Sequence, residues 1–214
     1  MTRSTDFEML EVLENPVIEV KLAKLRHKYT SAQDFRRTLF ELTGLMSAAV
    51  FRHIKTETIE IETPLETMQG AALPEHAPCI VSILRAGNGM ADALSVILPE
   101  AAIGHIGLQR HHKTHAAEFY YEKLPADISA RQVIMTDPML ATGGSAIVTA
   151  DRLKAKGVTD IVFCCLVAAP EGVAAFSAAH RDIPIITAAL DRELNDQCYI
   201  LPGLGDAGDR IYNT

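Results

Sequence analysis

From residue 78 onward the chain repeats one rhythm: an apolar run of strand length, a turn holding glycine, then a helical stretch. Cys79–Leu84 is strand-like, residues 85–89 form the turn, and 90–98 read as a helix. Residues 102–108 predict another strand, and 132–137 a further one after a polar loop. Ser145–Lys156 predicts a helix closed by Gly157, the favoured residue just past a helix end. Residues 160–168 are apolar from Ile161 onward, as a strand buried on both faces must be. Pro170 and Glu171 open the next helix, because proline suits the first helical position and an acid suits the helix dipole. Residues 183–190 are the last strong strand. Strands alternating with helices require a mainly parallel sheet covered on both faces, so the expected class is α/β. With no repeat and no linker in view, residues 1–214 are expected to form a single domain with a helical amino-terminal part.

That amino-terminal part is marked by Thr30 and Ser31, which precede a helical stripe of Phe35, Leu39, Leu42, Met46 and Ala49. Asp34 stands three residues after Ser31, the capping-box spacing. Residues 56–63 (TETIEIET) alternate apolar and acidic positions, which predicts a half-exposed strand. The first ten residues carry Asp6 and Glu8 and no apolar core, so they do not read as a secretory signal. The longest apolar run, 161–169, is about half of what a membrane span needs. Four cysteines without a C-x-x-C pair are too sparse for a disulfide framework, and Cys164 and Cys165 point to opposite faces of a strand. Reduced buried thiols and a cytoplasmic setting are the expectation. A net charge of −7 argues against nucleic acid and anionic membranes as partners, but not against a small anion held by a few local groups.

Chemistry concentrates in residues 133–145, VIMTDPMLATGGS. A strand delivers Asp137 to its carboxyl end, and Thr142-Gly143-Gly144-Ser145 leads into a helix. Two glycines let the backbone approach a ligand, and the free N–H groups of the first helical turn face an anion. This is a phosphate cradle, though no lysine follows the glycines as in a P-loop. A tight structural turn without ligand is the alternative. Near the terminus, Gly203–Gly208 fits G-x-G-x-x-G, yet Pro202 precedes it and the chain ends at Thr214, so no dinucleotide-binding βαβ unit can follow. What remains is a glycine-rich loop presenting backbone groups with Asp206 and Asp209.

Four stretches together resemble the uracil phosphoribosyltransferase family: residues 83–87 (ILRAG), 104–110 (GHIGLQR), 137–145 (DPMLATGGS) and 199–210 (YILPGLGDAGDR). The helix at 31–50 and residues 119–125 (FYYEKLP) match as well. The resemblance implies a phosphoribosyltransferase-type sheet with a carboxyl-terminal base-binding loop. It implies salvage of uracil: transfer of ribose 5-phosphate from 5-phosphoribosyl 1-diphosphate (PRPP) to uracil N1, giving UMP and diphosphate. Carried onto matching positions, Asp137, Pro138, Met139, Leu140, Ala141, Thr142, Gly143, Gly144 and Ser145 would hold the ribose and its 5′-phosphate, with Asp137 on the ribose hydroxyls. Arg85 and Arg110 would meet the diphosphate, where fixed positive charge suits a leaving group gaining negative charge. The backbone of Ile200, Gly205 and Ala207 would read the uracil edge. Asp206 would contact PRPP or its Mg²⁺. Arg85, Arg110, Asp137 and Asp206 are thus the catalytic expectations, with Mg²⁺ held mainly by PRPP and no standing metal ligands in the protein. The family further implies a homodimer or homotetramer and leaves GTP open as an effector.

The sequence also departs from the family pattern. Leu108-Gln109-Arg110-His111-His112 replaces an aromatic followed by Arg-Asp; Asn88 replaces an apolar residue and His27 an Asp. His111, His112 and His115 could be read as a metal cluster, but no further ligand has recognisable spacing, which favours a solvated loop. Asp209 is expected to pair with Arg210, and an exposed strand-end cation is the bland reading of Arg85. The competing function is an RNA-binding regulator of pyrimidine genes that kept the fold, a reading the acidic balance opposes.

Overall fold

A computed structural model describes residues 2–3, 7–110 and 117–214, the side chains of 2, 3, 110, 117 and 118 excepted. The chain opens with β1 (Thr2–Arg3), β2 (Leu10–Leu13), α1 (Pro16–Arg26) and α2 (Ala32–Phe51). Then come β3 (Glu57–Glu62), β4 (Thr67–Ala72), β5 (Cys79–Leu84), α3 (Asn88–Ile97), β6 (Ala102–Arg110) and β7 (Ala117–Lys123). The second half holds β8 (Val133–Thr136), β9 (Met139–Leu140), α4 (Gly144–Ala155), β10 (Ile161–Ala168) and α5 (Pro170–Ala179). It closes with β11 (Ile185–Leu190), β12 (Glu193–Leu194), β13 (Ile200–Leu201) and α6 (Ala207–Tyr212).

The main sheet runs β1-β2-β11-β10-β8-β5-β6-β7, with β9 also on β10. Every pairing from β2 to β6 is parallel; only β1–β2 and β6–β7 are antiparallel. The α/β expectation therefore holds. All eight residues of β10 are buried, as its unbroken apolar run requires of a central parallel strand. Cys164 faces the core shared with α1, α2, α3 and α6, while Cys165 faces the core shared with α4 and α5. Burial pushes the Cys79 and Cys165 thiols up to about 12, and Cys164 well above its ordinary value, so all three stay protonated.

Local signals account for the helix starts. Ser31 accepts the Asp34 N–H at 3.1 Å and caps α2. Asn15 accepts the Val17 N–H at 2.8 Å, and Pro16 takes the first position of α1. Gly157 adopts φ 88° just beyond α4, the left-handed region that a glycine enters without strain. Among the described residues no helix is long and apolar enough to cross a membrane.

One expectation is corrected. Residues 56–63 read as a half-exposed strand, yet every residue of β3 is exposed. β3 pairs only with β4, as a hairpin separate from the main sheet, so its apolar positions gain no covering layer. Ile59, Ile61 and Met68 keep 40%, 38% and 47% of their surfaces exposed.

A close backbone approach ties α5 to the loop after β9. A Cβ placed on Gly172 would lie 2.2 Å from the Ala141 carbonyl oxygen and 2.7 Å from that of Leu140. Only glycine fits there without moving that loop. Gly172→Ala is expected to destabilise the protein by about 1–3 kcal/mol, the usual cost of overpacking. Urea denaturation of the two proteins measures it.

Candidate active site

Adjacent strands β5 and β8 send their chains in opposite directions: β5 continues through α3 to β6, and β8 through α4 to β10. Such a reversal opens a crevice at the carboxyl ends of the strands, where ligands of open α/β sheets bind. Arg85 leaves the end of β5 and Asp137 the end of β8, on either side of this crevice. A non-proline cis peptide joins Leu84 to Arg85. Gly87 follows, and a Cβ there would lie 2.3 Å from the Thr136 carbonyl oxygen, so the two strand ends are packed backbone to backbone.

Helices α3 and α4 start at the crevice from glycine caps, Gly87 and Gly143, without a capping side chain or an acid in the first turn. The other α-helices among the described residues carry one or both. α4 thereby keeps its positive dipole end for an anion, whereas at α3 the Asn88 and Met90 N–H groups already donate to the Arg85 and Gly87 carbonyls, at 3.3 and 3.1 Å. Gly143 adopts φ 83°, open to glycine and strained for other residues, and a Cβ on it would sit 3.1 Å from the Gly172 carbonyl oxygen.

A cavity of about 410 Å³ lies in front of α4. It is lined by Asp137, Met139, Leu140, Ala141, Thr142, Gly143, Gly144 and Ser145 from one side, and by Ile200, Gly205, Asp206 and Ala207 from the other. The phosphate-cradle and base-loop residues thus meet across one space, although at least 55 positions separate them in sequence. Pro138 does not line it: its carbonyl accepts the Leu166 and Val167 N–H groups at 3.0 and 3.1 Å. Arg85 does not line it either, but sits in an adjoining recess, its side chain 56% exposed. Arg110 ends β6 with its side chain outside the described residues, as do His111, His112 and His115 altogether.

Burial pushes the Asp137 carboxyl up to about 7; the Asp206 charge adds to this and the Met139 backbone N–H opposes it. Asp206 caps α6, accepting the Asp209 N–H at 3.0 Å, and still lines the cavity. Its backbone neighbour Gly205 adopts φ 79°.

The expected Asp209–Arg210 pair is not formed. Arg210 instead donates to the carbonyls of Leu204 (2.7 Å), His27 (2.8 Å) and Leu25, with its guanidinium 4.5 Å from the Phe35 ring centroid. Three carbonyls satisfy its planar fork better than one exposed carboxylate. Asp209 faces Arg85 at 3.9 Å.

Sequence reasoning missed a second clamp on the same loop. Arg26, at the end of α1, forms a bidentate pair with Asp191, at 2.6 and 2.7 Å. Arg26 also donates to the Gly203 carbonyl (2.7 Å), and Asp191 accepts the Gly203 N–H (2.8 Å). Both peptide groups flanking Gly203 are therefore held by one ion pair, whose acid is only 5% exposed. No local pattern announces a pair 165 residues apart. Gln197, Cys198 and Tyr199 line the cavity as well, and Cys198 holds the left-handed φ of 62°.

Among solved structures, the AQ2163 protein from Aquifex aeolicus superposes with a TM-score of 0.87 at 34% identity, covering 95% of this chain and 98% of that one. Adenine phosphoribosyl transferase from Trypanosoma brucei shares the fold at 11% identity, with a TM-score of 0.62 over 92% of this chain and 90% of that one. The fold is that of a phosphoribosyltransferase. The model of the uracil phosphoribosyltransferase family matches residues 12–214. Uracil phosphoribosyltransferases of Dictyoglomus thermophilum and Acidovorax sp. are 50% and 51% identical, each over 96% of this chain, and covering 100% and 98% of their own lengths. The chain belongs to the uracil phosphoribosyltransferase family.

Two outcomes follow. Asp191→Asn leaves Arg26 unmatched in a part-buried place and should cost about 2–3 kcal/mol, somewhat less than a fully buried pair. Faster amide hydrogen exchange at Gly203–Gly205 would locate the loss in the base loop. For Asp137, the folded carboxyl keeps its proton between about pH 4 and 7 while the unfolded one releases it. Its contribution is therefore complete below the unfolded pKa and lost as pH rises through about 7. Asp137→Asn should match the parent near pH 4 and melt about 10 °C higher at pH 8, measured without ligand or divalent cation.

Proposed function

We propose that this chain, acting as one unit, transfers ribose 5-phosphate from PRPP to N1 of uracil, yielding UMP and diphosphate. The observation that carries the reading is the shared cavity: the cradle of 137–145 and the loop of 200–207 face each other across about 410 Å³. In this reading the amides opening α4 and the hydroxyls of Thr142 and Ser145 hold the 5′-phosphate, and Asp137 the ribose hydroxyls. Backbone groups of Ile200, Gly205 and Ala207 read the uracil edge. A fixed amide set tells a carbonyl from an amino group, because cytosine would leave buried donors facing each other.

At C1′ the bond to diphosphate breaks and the bond to N1 forms, as N1 gives up its proton. The centre between them resembles an oxocarbenium ion, so positioning and stabilisation of the departing charge dominate. Arg85 and Arg110 supply that stabilisation on the diphosphate side.

The residues present suit a cation that arrives on the substrate. Asp137 and Asp206 are near enough for one charge to raise the other's pKa, but no third His, Cys, Asp or Glu joins them among the described residues. Two carboxylates beside a diphosphate match a magnesium ion that keeps its waters and substrate oxygens, with Asp206 the residue to contact it. Bound in that way, it supplies neutralisation of diphosphate charge. A cytoplasmic setting agrees with three buried thiols.

The test follows label from uracil into UMP, expected only when PRPP and Mg²⁺ are both present. Label transfer without PRPP overturns the reading. Arg85→Ala should lower kcat by about two orders of magnitude, the usual loss on removing one donor to a developing charge. Turnover equal to the parent's would remove Arg85 from the diphosphate.

A further inference from the structure

Arg85 has little to hold it in place. Its side chain is half exposed, and the one acid paired with it among the described residues, Asp209, is also half exposed and stands 3.9 Å away. Such a pair contributes little and fixes no geometry. The firm contacts come from Tyr212, the last residue of α6. Its hydroxyl donates to the Arg85 carbonyl at 2.9 Å, and its ring lies 5.3 Å from the Arg85 guanidinium carbon. One residue thus holds both the backbone and the head group of Arg85. Both residues line the recess of about 470 Å³ beside the main cavity, with Asn88, His105 and Tyr121.

The other end of the same helix belongs to the base loop. Asp206 caps it, Ala207 begins it, and both line the main cavity. Six residues of helix span only about 9 Å. Gly208 keeps the gap narrow: a Cβ there would lie 3.2 Å from Asp206 Oδ1 and 3.9 Å from Arg85 Nη2. The base loop therefore enters one end of this short element, and Arg85 is fastened along it, its backbone held by Tyr212 at the far end and its head group lying beside Gly208 and Asp209.

We propose that Tyr212 is the positioning residue for Arg85, and that through α6 it fixes the distance between the base-reading loop and the arginine that grips diphosphate. This inference rests on the diphosphate role given to Arg85 above. Tyr212 does not touch the reacting atoms; it acts through Arg85, so its loss weakens the hold on diphosphate and leaves the base site intact.

A double-mutant cycle on the full chain tests this, with Tyr212→Phe, Tyr212→Ala, Arg85→Ala and the double variant Arg85→Ala/Tyr212→Ala. KM for PRPP, KM for uracil and the inhibition constant of inorganic diphosphate are measured for each. Tyr212→Phe keeps the ring and loses one hydrogen bond, so the PRPP and diphosphate constants should rise about fivefold. Tyr212→Ala loses the ring–cation contact too, and the rise should reach about twentyfold. KM for uracil at saturating PRPP should stay within about twofold of the parent's. With Arg85 already replaced, Tyr212→Ala should add nothing further.

Parental constants in the Tyr212 variants overturn the proposal. So does an undiminished Tyr212→Ala effect in the Arg85→Ala background, or an equal rise of both substrate constants. Those results leave Arg85 on the diphosphate. If Arg85→Ala itself leaves diphosphate inhibition unchanged, the earlier assignment fails and this inference falls with it.

Discussion

The crevice exists because two hydrogen-bonded strands send their chains apart. β5 and β8 pair in parallel from Cys79–Val133 to Ser82–Thr136, so their carboxyl ends arrive side by side. Had both chains turned to the same side, one helix start would cover the other strand's end. Because they diverge, α3 and α4 begin on opposite faces, and the site between them stays open. The same divergence explains Gly87, which passes against the Thr136 carbonyl where a side chain has no room; Gly143 is required by its φ of 83° beside the Gly172 carbonyl. It also explains what the two helices lack. Their caps are glycines without side-chain acceptors; at α4 this leaves the Ser145 and Ala146 amides for an incoming anion, while at α3 Asn88 and Met90 donate to nearby backbone carbonyls.

Facing this stiff frame is a loop with little regular structure of its own. Residues 199–206 contain only the two-residue strand β13, and their shape is imposed from outside. Arg26 with Asp191 holds Gly203, while Arg210 ties Leu204 to the end of α1. Burial holds the Arg210 pKa below its ordinary value, yet three carbonyl partners keep the guanidinium satisfied. The backbone reading of a planar base proposed for this loop needs groups fixed in direction, and these two arginines hold the loop at Gly203 and Leu204.

The part of the fold legible in the sequence was the part governed by local periodicity. β5 starts and ends where its apolar run does, and the helix from Ser31 begins at its readable cap. β3 misled because alternation says that one face can be buried, not that anything will cover it. The cradle was legible because strand, acid, glycines and helix are contiguous; the resemblance to a family extended this to the base loop. The Arg26–Asp191 and Tyr212–Arg85 contacts were not legible, since each joins segments more than 120 residues apart with no pattern at either end. The Asp209–Arg210 expectation failed for the same reason: adjacency in sequence was the only contact visible, and three distant carbonyls outcompeted it.

An acidic chain that binds a more acidic substrate must concentrate its positive potential, and the helix starts show how. With a net charge of −7, the mean field of this protein repels PRPP. Acids stand in the first turns of α1, α2, α5 and α6, where they stabilise those helices and consume their positive dipole ends. α3 and α4 forgo that stabilisation. Asp137 extends the same logic: burial beside Asp206 holds its pKa near neutrality, so the ligand-free site carries less negative charge than its sequence suggests. In the proposed reading, ribose hydroxyls and a metal-neutralised diphosphate beside Asp137 would make the carboxylate the favoured form. In that reading the destabilised acid and the uncapped start of α4 are one device, with stability withheld from the empty fold at the places where the substrate would restore it.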